Sequence, residues 1–447
     1  MTDLLTLGAS GIRAYSSALA TVADNVANSQ SAGYVRRSIQ TAEANPQGDS
    51  LLYRNQINPS GSVVTGVTRV VDIWLTEDAR IAGGEAGRAS ARVTWLEAAE
   101  RSLDDGAGGV GASMTAMFTT ADMLAADPSS TPLRTQFLQS VENAAGAFRA
   151  TATSLQAAAN GLATDAQGSV DALNTDVAAL NSVNNGLRRA RAGSTNQASL
   201  MDERDRLIDR ISNSVGVTSE FDARGAATLR LAAPSGETLL GPANVGQVSM
   251  AIQPSGQIAF TLTNSSGATS FTPSTGQLAG LSEASVGIAS RGVSLESLAT
   301  QFVTDVNAAH QAGFDAQGNP GIALLTMAGG AATMSAVALA ASDVAAADGI
   351  SANGNLLSMS SIRGQGGAED NWSSLVAIHS QATASARAQS EVADTRRDGA
   401  DVARSTVSGV DLDQEAADLL RYQQAYEGAA RVLQVARETL QSILNIF

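Results

Sequence analysis

The stretch from Asp411 to Phe447 constrains this chain more than any other. Leu412, Leu419, Tyr426, Leu433, Leu440 and Phe447 recur every seven residues, and Tyr422, Ala429, Ala436 and Ile443 fall three places after members of that row. Such positions are the a and d sites of a heptad, a narrow apolar seam along a helix that needs a second helix to cover it. Asp411 with Gln414 three places on reads as a capping pair, and Asp413 and Glu415 suit the first turn.

A partner stands at the other end. Leu5, Gly8, Ile12, Tyr15, Leu19, Val22 and Val26 are spaced alternately three and four apart, again a heptad seam. A lone helix of this length is marginal in water, because most helical stability in proteins comes from burying the apolar stripe. The two ends are therefore expected to order by pairing with each other and with copies from neighbouring subunits. Periodicity alone leaves a second reading open, in which both ends pack on one globular core. Tyr15, Tyr34, Tyr422 and Tyr426, four of the five tyrosines, lie in these segments and suit subunit contacts as rigid rings with a polar tip. The candidate assembly interface is Leu5, Ile12, Tyr15, Leu19, Val22, Val26, Leu419, Tyr422, Tyr426, Leu433, Leu440, Ile443 and Phe447.

Between the ends, the first helix should fade near Asn28, where Asn25, Ser29, Ser31 and Gly33 collect. A polar, Pro-containing stretch with Pro46 and Pro59 reads as extended chain, and the β-branched run from Gly61 to Asp72 as a short strand or hairpin. Helical periodicity resumes at Ile73 and lasts to a Gly-rich break at 106–111. Thr131-Pro132 starts a long helix, or two end to end, with Gly146, Gly161 and Gly168 as points where it bends or breaks. Met201–Ser212 is a shorter helix with one face of alternating acids and arginines, a salt-bridged surface. The period then changes to two: Val248, Met250 and Ile252, a Pro254-Ser255-Gly256 turn, then Ile258, Phe260 and Leu262. Helix returns over 281–311, a loosely patterned Ala/Gly/Ser segment reaches about 367, and a last long helix from Trp372 ends at a Ser408-Gly409 hinge. The expected fold is mainly α with a small inserted β domain: elongated, its terminal helices paired as a coiled coil around a discontinuous helical bundle. Residues 1–60 with 409–447 form the terminal assembly domain, 61–215 with 276–408 a helical rod, and 216–275 a small β-rich outer domain.

Composition removes most chemistry. All 28 basic residues are arginine, the net charge is −15 and cysteine is absent. An acidic chain without a basic stripe does not suit nucleic acid or an anionic membrane. No thiolate, disulfide or Cys-ligated metal is available, and the two histidines, His310 and His379, sit on separate helices outside any metal-binding spacing. His310 lies at a helix end, where an imidazolium suits the dipole, and is read as structural. No basic leader, spanning apolar run, P-loop or nucleophile elbow is present. The expectation is a non-enzymatic protein with no cofactor, metal, membrane or nucleic-acid partner.

The residues that remain resemble a known family. Ala9-Ser10-Gly11-Ile12-Arg13-Ala14, Asn25-Val26-Ala27-Asn28 and Gly33-Tyr34 are similar to the N-terminal signature of bacterial flagellar axial proteins (rod, hook and hook-associated). Ser408-Gly409-Val410-Asp411-Leu412-Asp413-Gln414-Glu415 and Leu420-Arg421-Tyr422-Gln423-Gln424-Ala425-Tyr426 are similar to its C-terminal counterpart. Leu200–Leu207 and His310–Asp315 resemble the junction-forming, hook-associated branch, although larger relatives carry more outer domain than the one β unit here. The resemblance implies a structural subunit of the zone between hook and filament, self-associating through its terminal helices. It further implies contacts with the hook protein, a second junction protein (hook-associated protein 3) and the filament side, and an export chaperone on the C-terminal helix. The location it implies is extracellular, in the flagellum, reached without a cleaved signal peptide. Another axial protein (hook or flagellin-like), or a secreted adhesin or enzyme with a central β domain, are the alternatives.

Overall fold

The computed structural model describes residues 2–31, 33–43, 61–233 and 236–445. Its long axis is set by a helical body. Helix α2 (Ile73–Ser102) starts where the Asp72 carboxylate accepts from the Trp74 and Leu75 N–H groups, and α3 (Val110–Ala126) follows the Gly-rich break. Helix α4 (Thr131–Arg189) is a single 59-residue helix, about 88 Å long at 1.5 Å per residue. The glycines expected to interrupt it do not. A Cβ on Gly161 would lie 2.8 Å from the Trp95 ring, so the missing side chain makes room for that indole, whose Nε1 donates to Asp165 at 2.9 Å.

Helix α5 (Thr195–Ser214) packs on α4 and leads into the β insertion. There β3 (Val217–Phe221), β4 (Ala227–Leu231), β5 (Thr238–Gly241) and β6 (Asn244–Val245) form one antiparallel sheet in sequence order. Strands β7 (Gln247–Ile252), β8 (Ile258–Asn264) and β9 (Gly267–Phe271) form a second, with Val248 opposite Leu262 and Ile252 opposite Ile258. Gly256 turns β7 into β8 at φ +80°, a conformation that favours glycine. The inward residues Leu229, Leu231, Leu240, Phe260 and Leu262 share one core with Leu173, Val177 and Leu180 of α4 and Leu207 and Ile211 of α5. The alternation legible in the sequence thus fixes which face meets the rod.

Helix α6 (Gln277–Gln311) returns along α2 and α4. The Ala/Gly/Ser segment after it is part of the second core rather than a loose connection. Leu324, Leu325, Met334, Val344, Leu356 and Met359 are buried against Phe137, Phe148 and Phe302. Its turns hang on side chains: Asn307 Oδ1 accepts from the Leu324 and Leu325 N–H groups, and Arg134 donates to the Ala341 and Val344 carbonyls. His310 does the same, which corrects the expected imidazolium. It is fully buried, with Nδ1 2.6 Å from the Ile322 carbonyl and Nε2 accepting from the Ala345 N–H at 2.9 Å. Burial pulls its pKa below the ordinary value, and this bonding pattern requires the neutral ring. Helix α7 (Gly354–Ser358) and α8 (Ala368–Ser408) follow, with α8 running antiparallel to α2. Gly409 ends α8, and α9 (Leu412–Leu444) begins at Asp411, whose carboxylate accepts from the Asp413 and Gln414 N–H groups.

Candidate functional site: the terminal hairpin and the charged clamp beneath it

Helix α1 (Thr2–Ala27) lies antiparallel to α9. The matched levels are direct: Gly8 meets Leu433, Gly11 meets Ala429, and Asn25 meets Glu415. The contact line on α1 is Gly8, Gly11, Tyr15, Ala18, Val22 and Asn25, spaced as a heptad seam. A Cβ on Gly8 would lie 3.1 Å from the Leu433 backbone nitrogen, so the helices approach closely enough there that a side chain would push them apart by a few tenths of an ångström. On α9 the line is Glu415, Tyr422, Ala429, Leu433, Ala436 and Leu440, of which Ala436 is the one buried apolar side chain among the described residues of that helix.

The larger apolar residues of the proposed interface sit beside this line. Val22 is buried within it, while Leu5, Ile12, Tyr15 and Leu19 are half-buried and Val26 is 43% exposed. On α9, Leu419, Tyr422, Leu433 and Leu440 are half-buried, Tyr426 and Ile443 are exposed, and Phe447 lies outside the described residues. A seven-residue row on a 3.6-residue helix drifts by about 20° per repeat. The row therefore begins well off the contact at Leu412 (51% exposed) and reaches it by Leu433. At about 100° per residue, Leu5, Ile12, Leu19 and Val26 project on the same side of the antiparallel pair as Leu412, Leu419 and Tyr426. That side is an apolar face open to solvent in a single chain.

A two-stranded hairpin joins this pair to the body. Strand β1 (Arg37–Glu43) pairs antiparallel with β2 (Ser62–Arg69), setting Arg37 opposite Arg69. Like charges facing each other across a ladder repel, and here a carboxylate from α5 bridges them. Asp202, 3% exposed, accepts from Arg37 Nη2 at 2.8 Å and Arg69 Nε at 2.7 Å. The chain of charges continues. Asp205 takes Arg69 Nη2 at 2.7 Å and Arg80 Nη2 at 3.3 Å, and Asp209 takes Arg80 Nε and Arg404 Nη1, each at 2.8 Å. Burial pushes the Asp205 carboxyl up, but Arg204, Arg69 and Arg80 outweigh it and hold it below the usual carboxylate range. The acid-and-arginine face read from the sequence of α5 is thus a buried clamp gathering β1, β2, α2 and α8.

The upper end of the clamp grips α9. Arg36 Nε donates to Glu415 at 2.6 Å and Arg36 Nη2 to Asp418 at 3.0 Å, while the Arg36 N–H donates to the Ser408 carbonyl at 2.9 Å. Asn25, buried, donates to Glu415 and to the Arg37 carbonyl, and accepts from the Arg37 N–H and the Tyr34 hydroxyl. Burial raises the Tyr34 pKa and keeps it the protonated donor that Asn25 needs. Sequence reasoning missed Asn25, Glu415 and Arg36, although a signal existed. Gly11-Ala18-Asn25 and Glu415-Tyr422-Ala429 are themselves heptad rows, so a polar residue ends each one inside the seam.

Elsewhere, a groove of about 1020 Å³ lies between α4, the β7–β8 turn and α6. Leu155, Ile252, Ile288 and Val293 line it, and its carboxylate, Glu296, is committed to the Ala331 N–H at 2.8 Å. Among the described residues no three His, Asp or Glu side chains converge as a metal site would require, and no helix is long and apolar enough to cross a membrane.

Paired terminal helices, a clamped hairpin below them and a long helical body with a β insertion define the class of flagellar axial subunits. In keeping with this, residues 404–446 match the model for the C-terminal region of flagellar basal-body rod proteins. Residues 96–325 match the model of the flagellar hook-associated protein FlgK helical domain, and the chain belongs to that family. It is 26% identical to the flagellar hook-associated protein 1 of Escherichia coli K12 over 331 residues, covering 72% of this chain and 59% of that protein. With the protein of the same name from Bacillus subtilis it shares 23% identity, over 97% of this chain and 96% of the relative. A solved structure of the flagellar hook junction protein FlgK from Burkholderia pseudomallei superposes with a TM-score of 0.49 at 18% identity, over 56% of this chain and 46% of that one.

Proposed function

We propose that this chain is a structural subunit of the junction between flagellar hook and filament, and that it assembles through the open face of its terminal hairpin. The observation that carries this reading is the uncovered heptad row. Leu412, Tyr426 and Val26 are large, apolar and exposed beside the seam in which the two helices meet. Neighbouring copies bury that row, and the rows above and below are the hook protein on one side and hook-associated protein 3 with the filament on the other. Residues 1–60 with 409–447 form the assembly domain, 61–215 with 276–408 the helical rod, and 216–275 the outer β unit. Of the candidate interface residues, Leu5, Ile12, Leu19, Val26, Leu419, Tyr426, Ile443 and Phe447 act here in contact with sister subunits, while Tyr15, Val22, Tyr422, Leu433 and Leu440 hold the two helices of one chain together. An export chaperone that masks the C-terminal helix fits an apolar row that would otherwise promote aggregation. Delivery then leads to the cell exterior, and no catalytic step is involved.

The test is Leu412→Asp combined with Val26→Asp, expressed in a strain that lacks the native copy. Both sites are exposed, so the isolated subunit keeps its stability to within about 0.5 kcal/mol. Electron microscopy should show hooks without filaments, with filament subunits lost to the medium. Normal filaments and motility would reject the open face as the contact.

A further inference from the structure

We infer that Asn25 and Glu415 are the register-determining residues of the terminal hairpin, selecting one alignment of α9 along α1. The inference rests on reading the hairpin as the assembly element and adds what fixes its geometry.

The small residues of the seam do not make this choice by themselves. On α1 Gly11 and Ala18, and on α9 Ala429 and Ala436, each stand seven residues apart on the contact line with small side chains. Sliding α9 by a heptad one way sets Gly11 against Ala436 and Ala18 against Ala429, small on small as before, while sliding it the other way sets Gly11 against Tyr422. The polar end of the seam is different. Asn25 is 1% exposed, and its amide makes four hydrogen bonds of 2.9–3.0 Å, to Arg37 N and O, Tyr34 and Glu415. Glu415 is fully buried and bound by Asn25 Nδ2 and Arg36 Nε. A heptad shift in one direction sets Glu415 against Ala18, with a desolvated carboxylate facing a methyl group. In the other direction Asn25 loses Glu415 to Tyr422. A single buried polar pair of this kind sets register and partner in coiled coils at some cost in stability.

The consequence is functional. Register decides which members of the two open rows stand side by side, so it decides the shape presented to neighbouring subunits.

The chain has no cysteine, which makes disulfide mapping clean. Three double-cysteine versions of the full chain are compared: Gly11→Cys with Ala429→Cys, with Tyr422→Cys, and with Ala436→Cys. A Cβ on Gly11 stands 3.1 Å from the Ala429 Cβ, so the first pair reports the native register, and the other two report one-heptad shifts. In the otherwise native chain only the first should close within a monomer. Adding Asn25→Leu and Glu415→Leu, which keep the seam packed, should let the shifted pairs close at yields comparable to the native one. Continued closure of the native pair alone would overturn the inference. Loss of the terminal helices by circular dichroism would also overturn it, since the pair would then be holding the helices together rather than choosing between alignments. Sedimentation of the cysteine-free parent is read separately. A parent that never self-associates counts against the assembly reading and leaves the register result standing.

Discussion

Removing the Asp202 carboxylate should be the most damaging single change outside the apolar cores. Asp202 is 3% exposed and holds two guanidinium groups, Arg37 at 2.8 Å and Arg69 at 2.7 Å, whose side chains are each 7% exposed. A hydrogen bond to a charged group contributes about 1.5–3 kcal/mol. In Asp202→Ala, Arg69 keeps Asp205, but Arg37 is left with the Ser199 hydroxyl and the Tyr34 ring, and it faces Arg69 across the ladder without a bridge. Breaking a buried pair from one side costs about 3–5 kcal/mol, and that is the expected loss. Asp78→Ala is the matched control. Its partner Arg396 is 3.4 Å away and both side chains are more than half exposed, so the change should cost about 0–1 kcal/mol. Urea unfolding followed by circular dichroism gives the two values, and hydrogen exchange locates the damage. Protection should fall first across β1, β2 and α1, and be kept in the core between α3, α4 and α6. Equal costs for Asp202→Ala and Asp78→Ala would refute the reasoning.

Two glycines separate packing from propensity. Gly280→Ala should destabilise by about 1–3 kcal/mol, because its Cβ would lie 2.1 Å from the Arg88 carbonyl oxygen, while Gly168→Ala, with nothing within 4 Å, should stabilise α4 by about 1 kcal/mol; urea midpoints decide both. The buried histidines make stability depend on pH. Burial holds His310 and His379 below the ordinary 6.5 in the folded chain, so the unfolded chain takes up their protons first. Their contribution is complete above about pH 6.5 and is lost as pH falls from there towards the folded values. A second loss follows near pH 4 and below, where the depressed Asp205 and Glu369 carboxylates gain protons. Urea midpoints should drop between pH 7.5 and 5.5, and less so in His310→Gln; a flat profile would contradict the neutral, buried assignment.

The parts legible in the sequence were those whose physics is local. The 3.6-residue period gave α2, α4, α6, α8 and both terminal helices, and the two-residue period gave β7 and β8 in their observed register. Helix α3 was missed because Met114, Met117, Phe118, Ala121 and Leu124 are buried in an Ala-rich stretch too uniformly apolar to show a stripe. The segment from 320 to 367 was missed for the opposite reason. Its order comes from Asn307, His310 and Arg134 bonding to backbone groups, and no period records that. The clamp joins residues more than a hundred positions apart, such as Arg37 with Asp202 and Arg36 with Glu415, so spacing could not reveal it. The terminal rows were visible, but their division into a small-residue seam and an open apolar flank depends on how closely Gly8 and Gly11 let the helices approach.

The most direct test of the open-face account is hydrogen exchange over α9, measured on the free subunit and on the assembled junction. Free α9 has α1 as its packing partner and, among the described residues, buries one apolar side chain, Ala436, so its amides should exchange rapidly. In the assembly the amides from Leu412 to Leu440 should slow by about two orders of magnitude, the change that some 2.7 kcal/mol of added local stability produces. Equal protection in the two states would contradict the account, because it would mean that nothing was left for a neighbouring copy to cover.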